Sequence, residues 1–346
     1  MNITTVGIDL AKLLVQVHGV DARGKVLLRK RLKRSQVVPF FSQFAPCLIG
    51  MEACGGAHFW ARKLMEFGHT VRLIAPQFVK PYVKTNRNDA ADAEAICEAV
   101  GRPNRRFVPI KNTEQQALLG LHRSRQGFVT ARTAQANQIR GLLTEFGLVM
   151  PAGIRCIERK LPEFLEDAEN GLSGASRALF ARLLEHFRLL DRQVEELEGE
   201  INAWHREDSA SHRLQAIPGI GPITASALVA SVGDAKVFLN GRQFAAWLGL
   251  VPRQRSSGGK TQLLGISKRG DRYLRTLLIH GARSVLFSLK RDPVRADSWL
   301  AGVANRRNLN IAAVALANKN GRTVWALLAR GSEYRADYRS VNAMAA

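Results

Sequence analysis

The first third of the chain alternates between short apolar runs and amphipathic stretches. Thr4-Thr5-Val6-Gly7-Ile8-Asp9-Leu10 reads as a short buried strand, Leu13 to Val20 alternates apolar with polar as a second, and Asp21-Ala22-Arg23-Gly24 is a turn into a third, Lys25 to Leu32. A three-strand meander is expected. The periodicity then predicts a helix from Gln36 to Phe44, a strand Cys47 to Met51, a helix His58 to Phe67, a strand Val71 to Ala75 and a helix through Asp89 to Val100. Hairpins followed by alternating strands and helices imply a mixed sheet flanked by helices, the order expected of an RNase H-like (RuvC-like) domain over residues 1–110.

The pattern changes over residues 111–210. Thr113 to Leu148 is helical, with Ala117, Leu118, Leu121 and Phe128 apolar, and from Ser173 to Trp204 the positions Leu179, Leu183, Phe187, Leu190, Val194 and Leu197 recur at three- and four-residue steps. Two long helices are predicted, broken by Pro151-Ala152-Gly153 and by Pro162, as an antiparallel hairpin or coiled-coil arm that serves as spacer, oligomerisation element or plain helical subdomain. The remainder, 211–346, is read as a mainly helical domain. It opens with Ile217-Pro218-Gly219-Ile220-Gly221-Pro222 before a helix, the pattern of a helix-hairpin-helix in which Gly219 and Gly221 let the backbone approach a phosphate; a tight turn without a ligand is the alternative.

Charge adds a functional direction. The 346 residues contain 51 Lys or Arg against 29 Asp or Glu, a net +22, distributed as +9 over 1–110, −2 over 111–210 and +15 over 211–346. Such segregation creates a potential that attracts polyanions. The basic residues lie among Gly and Ser turns rather than on an amphipathic helix with bulky anchors, which favours nucleic acid over an anionic membrane. No apolar stretch approaches the roughly 20 residues of a membrane span, and Met1 to Thr5 has no basic leader, so a soluble cytoplasmic chain is expected. Four scattered cysteines, Cys47, Cys54, Cys97 and Cys156, without a C-x-x-C pair, read as small buried side chains rather than disulfides or a zinc site.

Two constellations could carry chemistry. Asp9 ends the first strand and Glu52 ends another, Ile49-Gly50-Met51-Glu52, where a charge has little place without a cation. Asp89 and Asp92 share one helical face at i and i+3. Four hard carboxylates converging on one site suit Mg²⁺, and a two-metal arrangement stabilises both oxygens of a phosphodiester exchange; for Asp89 and Asp92 alone, capping and stabilisation of the helix dipole in a first turn is the simpler role. Lys80, Lys84 and Arg87 precede them, placed to hold a polyanion or to compensate charge. Glu94 and Glu98 are expected on a solvated face, and His58 as an ordinary helical histidine or a group supporting the site.

The second constellation is Pro252-Arg253-Gln254-Arg255-Ser256-Ser257-Gly258-Gly259-Lys260-Thr261. Gly259-Lys260-Thr261 looks like a P-loop end, but Gln254 stands where that pattern needs glycine. What remains is a serine pair on a Gly-flanked loop among Arg253, Arg255 and Lys260, followed by Lys268, Arg269, Arg272 and Arg275. The hydroxyls either donate hydrogen bonds to a docked phosphate or supply a nucleophile.

Gly7-Ile8-Asp9-Leu10-Ala11-Lys12, Gly50-Met51-Glu52-Ala53-Cys54, Lys84 to Ala93 and Pro252 to Lys260 together resemble the DEDD-type insertion-sequence transposases, relatives of the Piv DNA invertases, nearly end to end. The resemblance implies that Asp9, Glu52, Asp89 and Asp92 are the four acids of a RuvC-like domain. It also implies that Ser256, the serine of an S-x-G-G motif with Ser257 beside it, is a nucleophile. It further implies a recombinase guided by a structured RNA, in which carboxylates of one protomer and serine of another act within a tetramer assembled from dimers. Competing readings are a RuvC-like nuclease using metal-activated water, an actin-like ATPase, which would need Gly and Thr where Leu10-Ala11-Lys12 stand, and an inactive architectural protein, which four retained acids disfavour.

Overall fold

The computed structural model describes residues 2–83, 88–102, 107–289 and 298–336. The chain divides into two compact units, Met1–Thr113 with Val232–Val237, and Glu114–Ser231 with Phe238–Ala346.

The first unit is built on a six-stranded sheet. Its elements are β1 (Thr5–Leu10), β2 (Leu14–Val20), β3 (Val26–Lys33), α1 (Arg34–Phe41), β4 (Leu48–Glu52), α2 (Ala57–Glu66), β5 (Thr70–Ile74), α3 (Pro76–Val79), α4 (Asp89–Val100) and β6 (Phe107–Val108). The strand order is β3-β2-β1-β4-β5-β6. β1, β4 and β5 run parallel, while β2 is antiparallel to β1 and β3, and β6 is antiparallel to β5. This order is consistent with an RNase H-like domain. The expected strands and helices are present within a few residues, and α4 has the predicted bounds. β6 was not foreseen, because two residues carry no periodicity.

Strand alternation assigns the two sheet faces. Val6, Ile8, Val17, Ile49, Met51 and Leu73 share a core with Phe41 of α1 and with Trp60 and Leu64 of α2. The other face receives α4. Gly7 and Gly50 are direct partners on β1 and β4. A Cβ on Gly7 would stand 2.2 Å from the Ala93 carbonyl oxygen and 2.4 Å from the Cys97 nitrogen, and one on Gly50 2.7 Å from Val100 Cβ. Two glycines side by side thus form a shallow seat on which the small residues of α4 rest directly on the sheet backbone.

The second unit is mostly helical, with α5 (Thr113–Thr144), α6 (Ile154–Glu166), α7 (Gly174–Glu207), α8 (Ser209–Gln215), α9 (Pro222–Val232), α10 (Gly241–Trp247), β7 (Pro252–Ser257), β8 (Lys260–Ile266), α11 (Arg272–Leu289), α12 (Trp299–Arg306) and α13 (Leu309–Arg330). α5 and α7 run antiparallel: Arg125 pairs with Glu198 at 2.5 Å and Arg132 with Asp191, while Ile139 and Leu143 join Phe180 and Leu184 in one apolar cluster. Two expectations are corrected here. Pro162 lies inside α6 rather than breaking a helix, because Ile157 and Leu161 bury their face in that same cluster and packing outweighs the lost backbone bond. The buried seam of α7 runs Phe180, Leu184, Phe187, Leu190 and Val194, leaving Leu179 43% exposed, so its first half is one residue out of the predicted register.

A buried polar pin ties α5 to α9 and α11. His122 Nδ1 lies 3.0 Å from the Tyr273 hydroxyl and Nε2 3.1 Å from Ser226 Oγ. Burial, aided by Arg125, pushes the His122 pKa down to about 4, so the ring is neutral and serves as a hydrogen-bonding spacer. No helix among the described residues is long and apolar enough to cross a membrane.

The glycine seat yields a direct test. Gly7→Ala should lower unfolding stability by about 3 kcal/mol, since its Cβ meets rigid backbone, whereas Gly120→Ala in α5, with open space around it, should be neutral or stabilising by up to about 1 kcal/mol. Urea midpoints would measure both, and equal effects would refute the seat.

Candidate active site

Asp9 lies two residues beyond Gly7 and Glu52 two beyond Gly50, so both carboxylates project from the sheet face that carries α4. They follow the paired residues Ile8 and Met51 on adjacent parallel strands, at the same level of the sheet. Because Ala93 is pressed onto Gly7, the preceding turn of α4, with Asp89 and Asp92, falls beside Asp9. The electrostatics record this convergence. Burial first, then the negative charges of Asp92, Asp89 and Glu52, push the Asp9 pKa up to about 6, against a smaller opposite effect of the Leu10 backbone hydrogen bond. No group of three or more His, Cys, Asp or Glu among the described residues closes to metal-holding distance, so the acids stand as electrostatic neighbours rather than a formed cage. Their donor set, hard oxygens with an accumulated negative charge felt at a half-buried carboxyl, fits a divalent cation.

Capping does not account for the α4 acids. Asn88 caps the helix, its side chain accepting from the Ala91 N–H at 2.8 Å, which leaves Asp89 and Asp92 without that task. Glu94 and Glu98 turn to other partners, Arg29 at 3.6 Å and Arg102 at 2.8 Å. His58 accepts from the Lys111 backbone N–H at 3.2 Å and so anchors that chain segment. Lys80 is exposed, and Lys84 and Arg87 lie outside the described residues.

Two neighbours went unforeseen. Cys54 has its thiol pKa raised by burial and then by Glu52 and Asp9, so it borders the acidic site, and Arg34, acting the other way on that thiol, lies beside Cys54. Only a knowledge of how α1 meets the β4 end could have found Arg34. All four cysteines are free; Cys47 and Cys97 are buried with pKa values pushed up to about 11, while Cys54 and Cys156 are only half-buried, contrary to the expectation of four interior thiols.

The serine segment is a hairpin rather than the expected loop. Gly258 and Gly259 have φ of 55° and 74°, the left-handed pair that a two-residue turn requires, and Ser257 faces Lys260 while Ser256 faces Thr261. This geometry agrees with rejecting a P-loop, since no helix follows Thr261. Alternation sorts the side chains: Ser257 shares its face with Arg255 and Lys260, whereas Ser256 shares its face with Gln254, whose Nε2 donates to Ser256 Oγ at 2.8 Å. The cations expected around Ser256 therefore surround Ser257 more closely.

The hairpin base is rigidly held. Gly249 and Gly270 have positive φ, and a Cβ on them would stand 2.0 Å from the Arg269 carbonyl oxygen and 1.9 Å from the Trp247 carbonyl oxygen. The Ser267 N–H donates to Val251 O at 2.8 Å, and buried Arg275 donates to Leu248 O at 3.2 Å. A cleft of about 490 Å³ at this base is lined by Arg253, Arg255, Ser267 and Arg269 among others, and Lys268 and Arg269 are exposed. Gly219 has φ 88°, and its Cβ would stand 2.8 Å from the Gly281 carbonyl oxygen of α11, so its missing side chain lets this turn pack closely on α11. Gly221 is exposed with open space around it.

A mixed sheet of this order, with acids at the ends of β1 and β4 and on the first turn of α4, is consistent with a DEDD nuclease-like domain, and the family matches make the chain a transposase, an enzyme that cleaves and rejoins DNA. Residues 6–147 match the DEDD transposase family of IS110, and residues 211–297 match the family described as transposase IS116/IS110/IS902. The chain belongs to the IS110/IS116 family of DEDD transposases. It is 54% identical to a probable family 20 transposase of Pseudomonas aeruginosa over 97% of this chain and 99% of that protein. It is 44% identical to the transposase for insertion sequence element IS1328 of Yersinia enterocolitica, over 96% and 99% of the two chains, and 44% identical to that for IS1111A of Coxiella burnetii, over 96% and 92%.

The raised Asp9 pKa has a measurable sign. Asp9 is about 6 folded against 3.8 as an ordinary carboxyl, so its ionisation costs stability as pH rises through that window. In EDTA, Asp9→Asn should be more stable than the parent above pH 6, by about 1 kcal/mol after allowing for solvent around a half-buried group, with the difference vanishing below about pH 4. Thermal melts across this range would check it, and a variant less stable at pH 7.5 than at pH 4 relative to the parent would contradict it.

Proposed function

We propose that this chain moves an insertion sequence by cutting and rejoining its DNA with Mg²⁺ at Asp9, Glu52, Asp89 and Asp92 and with Ser256 as nucleophile, directed by a structured RNA. The observation that carries the reading is the negative charge of three carboxylates, Asp92, Asp89 and Glu52, felt at half-buried Asp9. Bound Mg²⁺ would supply charge neutralisation and Lewis acidity at the phosphodiester. The acids hold that charge beside the strand, and α4 keeps Asp89 and Asp92 at the level of Asp9. Ser256 Oγ attacks phosphorus; the new Oγ–P bond replaces the P–O bond to the leaving strand, whose oxygen takes the hydroxyl proton. Reversal by another strand's hydroxyl restores Ser256 and conserves the phosphodiester, which hydrolysis would not. The exposed cations Arg253, Arg255, Lys260, Lys268 and Arg269, with Lys84, Arg87 and the turn at Gly219 and Gly221, grip backbone phosphates. With aromatic residues at 7% of the chain, extensive base stacking is not supported, which leaves sequence choice to pairing by the RNA. The resemblance of the S-x-G-G segment supports a composite site in a tetramer built from dimers.

Four outcomes test this. Asp9→Asn or EDTA should abolish strand cleavage while DNA and RNA binding persist. A covalent protein–DNA adduct should disappear in Ser256→Ala and remain in Ser257→Ala; the reverse would move the nucleophile to the serine beside Arg255 and Lys260, and no adduct at all would favour a hydrolytic nuclease. Neutralising Lys268 and Arg269 together should weaken binding to all sequences alike and flatten the salt dependence by about one to two units of slope, leaving the chosen site unchanged. If protein stripped of RNA still selects one DNA sequence over a shuffled control, RNA guidance is refuted.

A further inference from the structure

We infer that Arg29 and Arg31 on β3 form a second phosphate-holding subsite, which grips the backbone of the DNA strand on the side of the acidic site away from β4. This inference rests on the reading of the four carboxylates as the strand-cleaving site. It follows from the sheet register. Asp9 pairs with Gln16 and Gln16 with Arg31, while Gly7 pairs with His18 and His18 with Arg29. Residues directly opposite share a face, so Arg31 lies in the same cross-strand row as Asp9, and both arginines project on the face that carries α4. The ion pair of Arg29 with Glu94 of α4 confirms that orientation. Lys30 between them points the other way, its Nζ 4.7 Å from the Phe40 ring of α1.

Two strand spacings, about 10 Å, separate the Asp9 and Arg31 backbones. An extended arginine reaches back across part of that gap, toward the phosphate one nucleotide from the one at the acids. Beside the two arginines, between β2–β3 and α4, a cleft of about 380 Å³ is lined by Gln16, Arg29, Arg31, Asn88, Ala91 and Glu94. Among the described residues Arg31 has no ion pair, and the Arg29 side chain is 68% exposed, so its 3.6 Å contact with Glu94 is a weak surface pair that a phosphate can displace. Four acids repel a polyanion, and cations placed one row over on the same face offset that repulsion without neutralising the acids themselves. Cations on an edge strand also block edge-to-edge pairing, but that task requires no particular face and no cleft.

The test uses the full-length protein with its copurified nucleic acid and a DNA substrate. Arg29→Gln with Arg31→Gln should raise KM for cleavage roughly tenfold with little change in kcat, and flatten the salt dependence of DNA binding by about 1.4 units for two lost contacts to a single strand. Ethylation of phosphates next to the cleavage point should inhibit the parent protein and cease to matter in the double variant. The double Arg→Lys variant should retain the parent KM, and Arg23→Gln in the β2–β3 turn should match the parent throughout. An unchanged KM and interference pattern in the double Gln variant, with Asp9→Asn inactive, would overturn the subsite while leaving the acidic site standing. Normal cleavage by Asp9→Asn would overturn the reading beneath it. A double Gln variant that loses its RNA but cleaves DNA with the parent KM would assign the cleft to RNA and overturn the inference for DNA.

Discussion

The contact of α4 with the backbones of β1 and β4 sets the geometry of the acidic site. It exists because Gly7 and Gly50 are paired neighbours with no side chains to hold the helix off. Ordinary helix-on-sheet packing leaves about 10 Å between layers, whereas here the Ala93 carbonyl and the Cys97 nitrogen descend to where a Cβ would be. One consequence is steric and the other electrostatic. Asp89 and Asp92, one turn upstream, are brought beside the strand-end acids, and the negative charges so gathered raise the proton affinity of Asp9. Two paired glycines thus set the proton affinity of a carboxyl two residues further along β1.

The basic residues are presented differently in the two units. In the first unit, alternation along β3 sends Arg29 and Arg31 to the acid side and Lys30 to the α1 side, so a plain Arg-Lys-Arg run becomes a directed pair. In the second unit, the hairpin β7–β8 carries its cations into solvent, supported at the base by the backbone contacts of Gly249 and Gly270 and by buried Arg275. Both arrangements leave the cations hydrated and available, as binding driven by counterion release requires.

Much of this was legible in the sequence for a simple reason: local periodicity and end-of-strand polarity survive without tertiary information. The strands of the first unit, the bounds of α4 and the four acids were all readable from alternation, apolar runs and charges where charges are costly. Beyond one element's own pattern, that legibility failed. β6 has two residues and no period. Pro162 should end a helix, yet α6 continues because its apolar face is buried by α5 and α7. In α7 the sequence offers Leu179 and Phe180 side by side, and only the position of α5 and α6 decides that Phe180 is inside.

The chain by itself therefore determined most of the strands and helices of the first unit, which carboxylates are too close to apolar strands to be casual, and that so basic a surface suits a polyanion. Tertiary structure alone decided that Gly7 and Gly50 are a seat and not mere flexibility, that Gly219 packs on α11, that Cys54 borders the acids with Arg34 beside it, and that Ser256 and Ser257 face opposite ways. The division has one physical cause. Hydrophobic periodicity and charge are properties of a segment, but close approach, burial and shared faces are properties of pairs of segments, and those pairs exist only once the chain has folded.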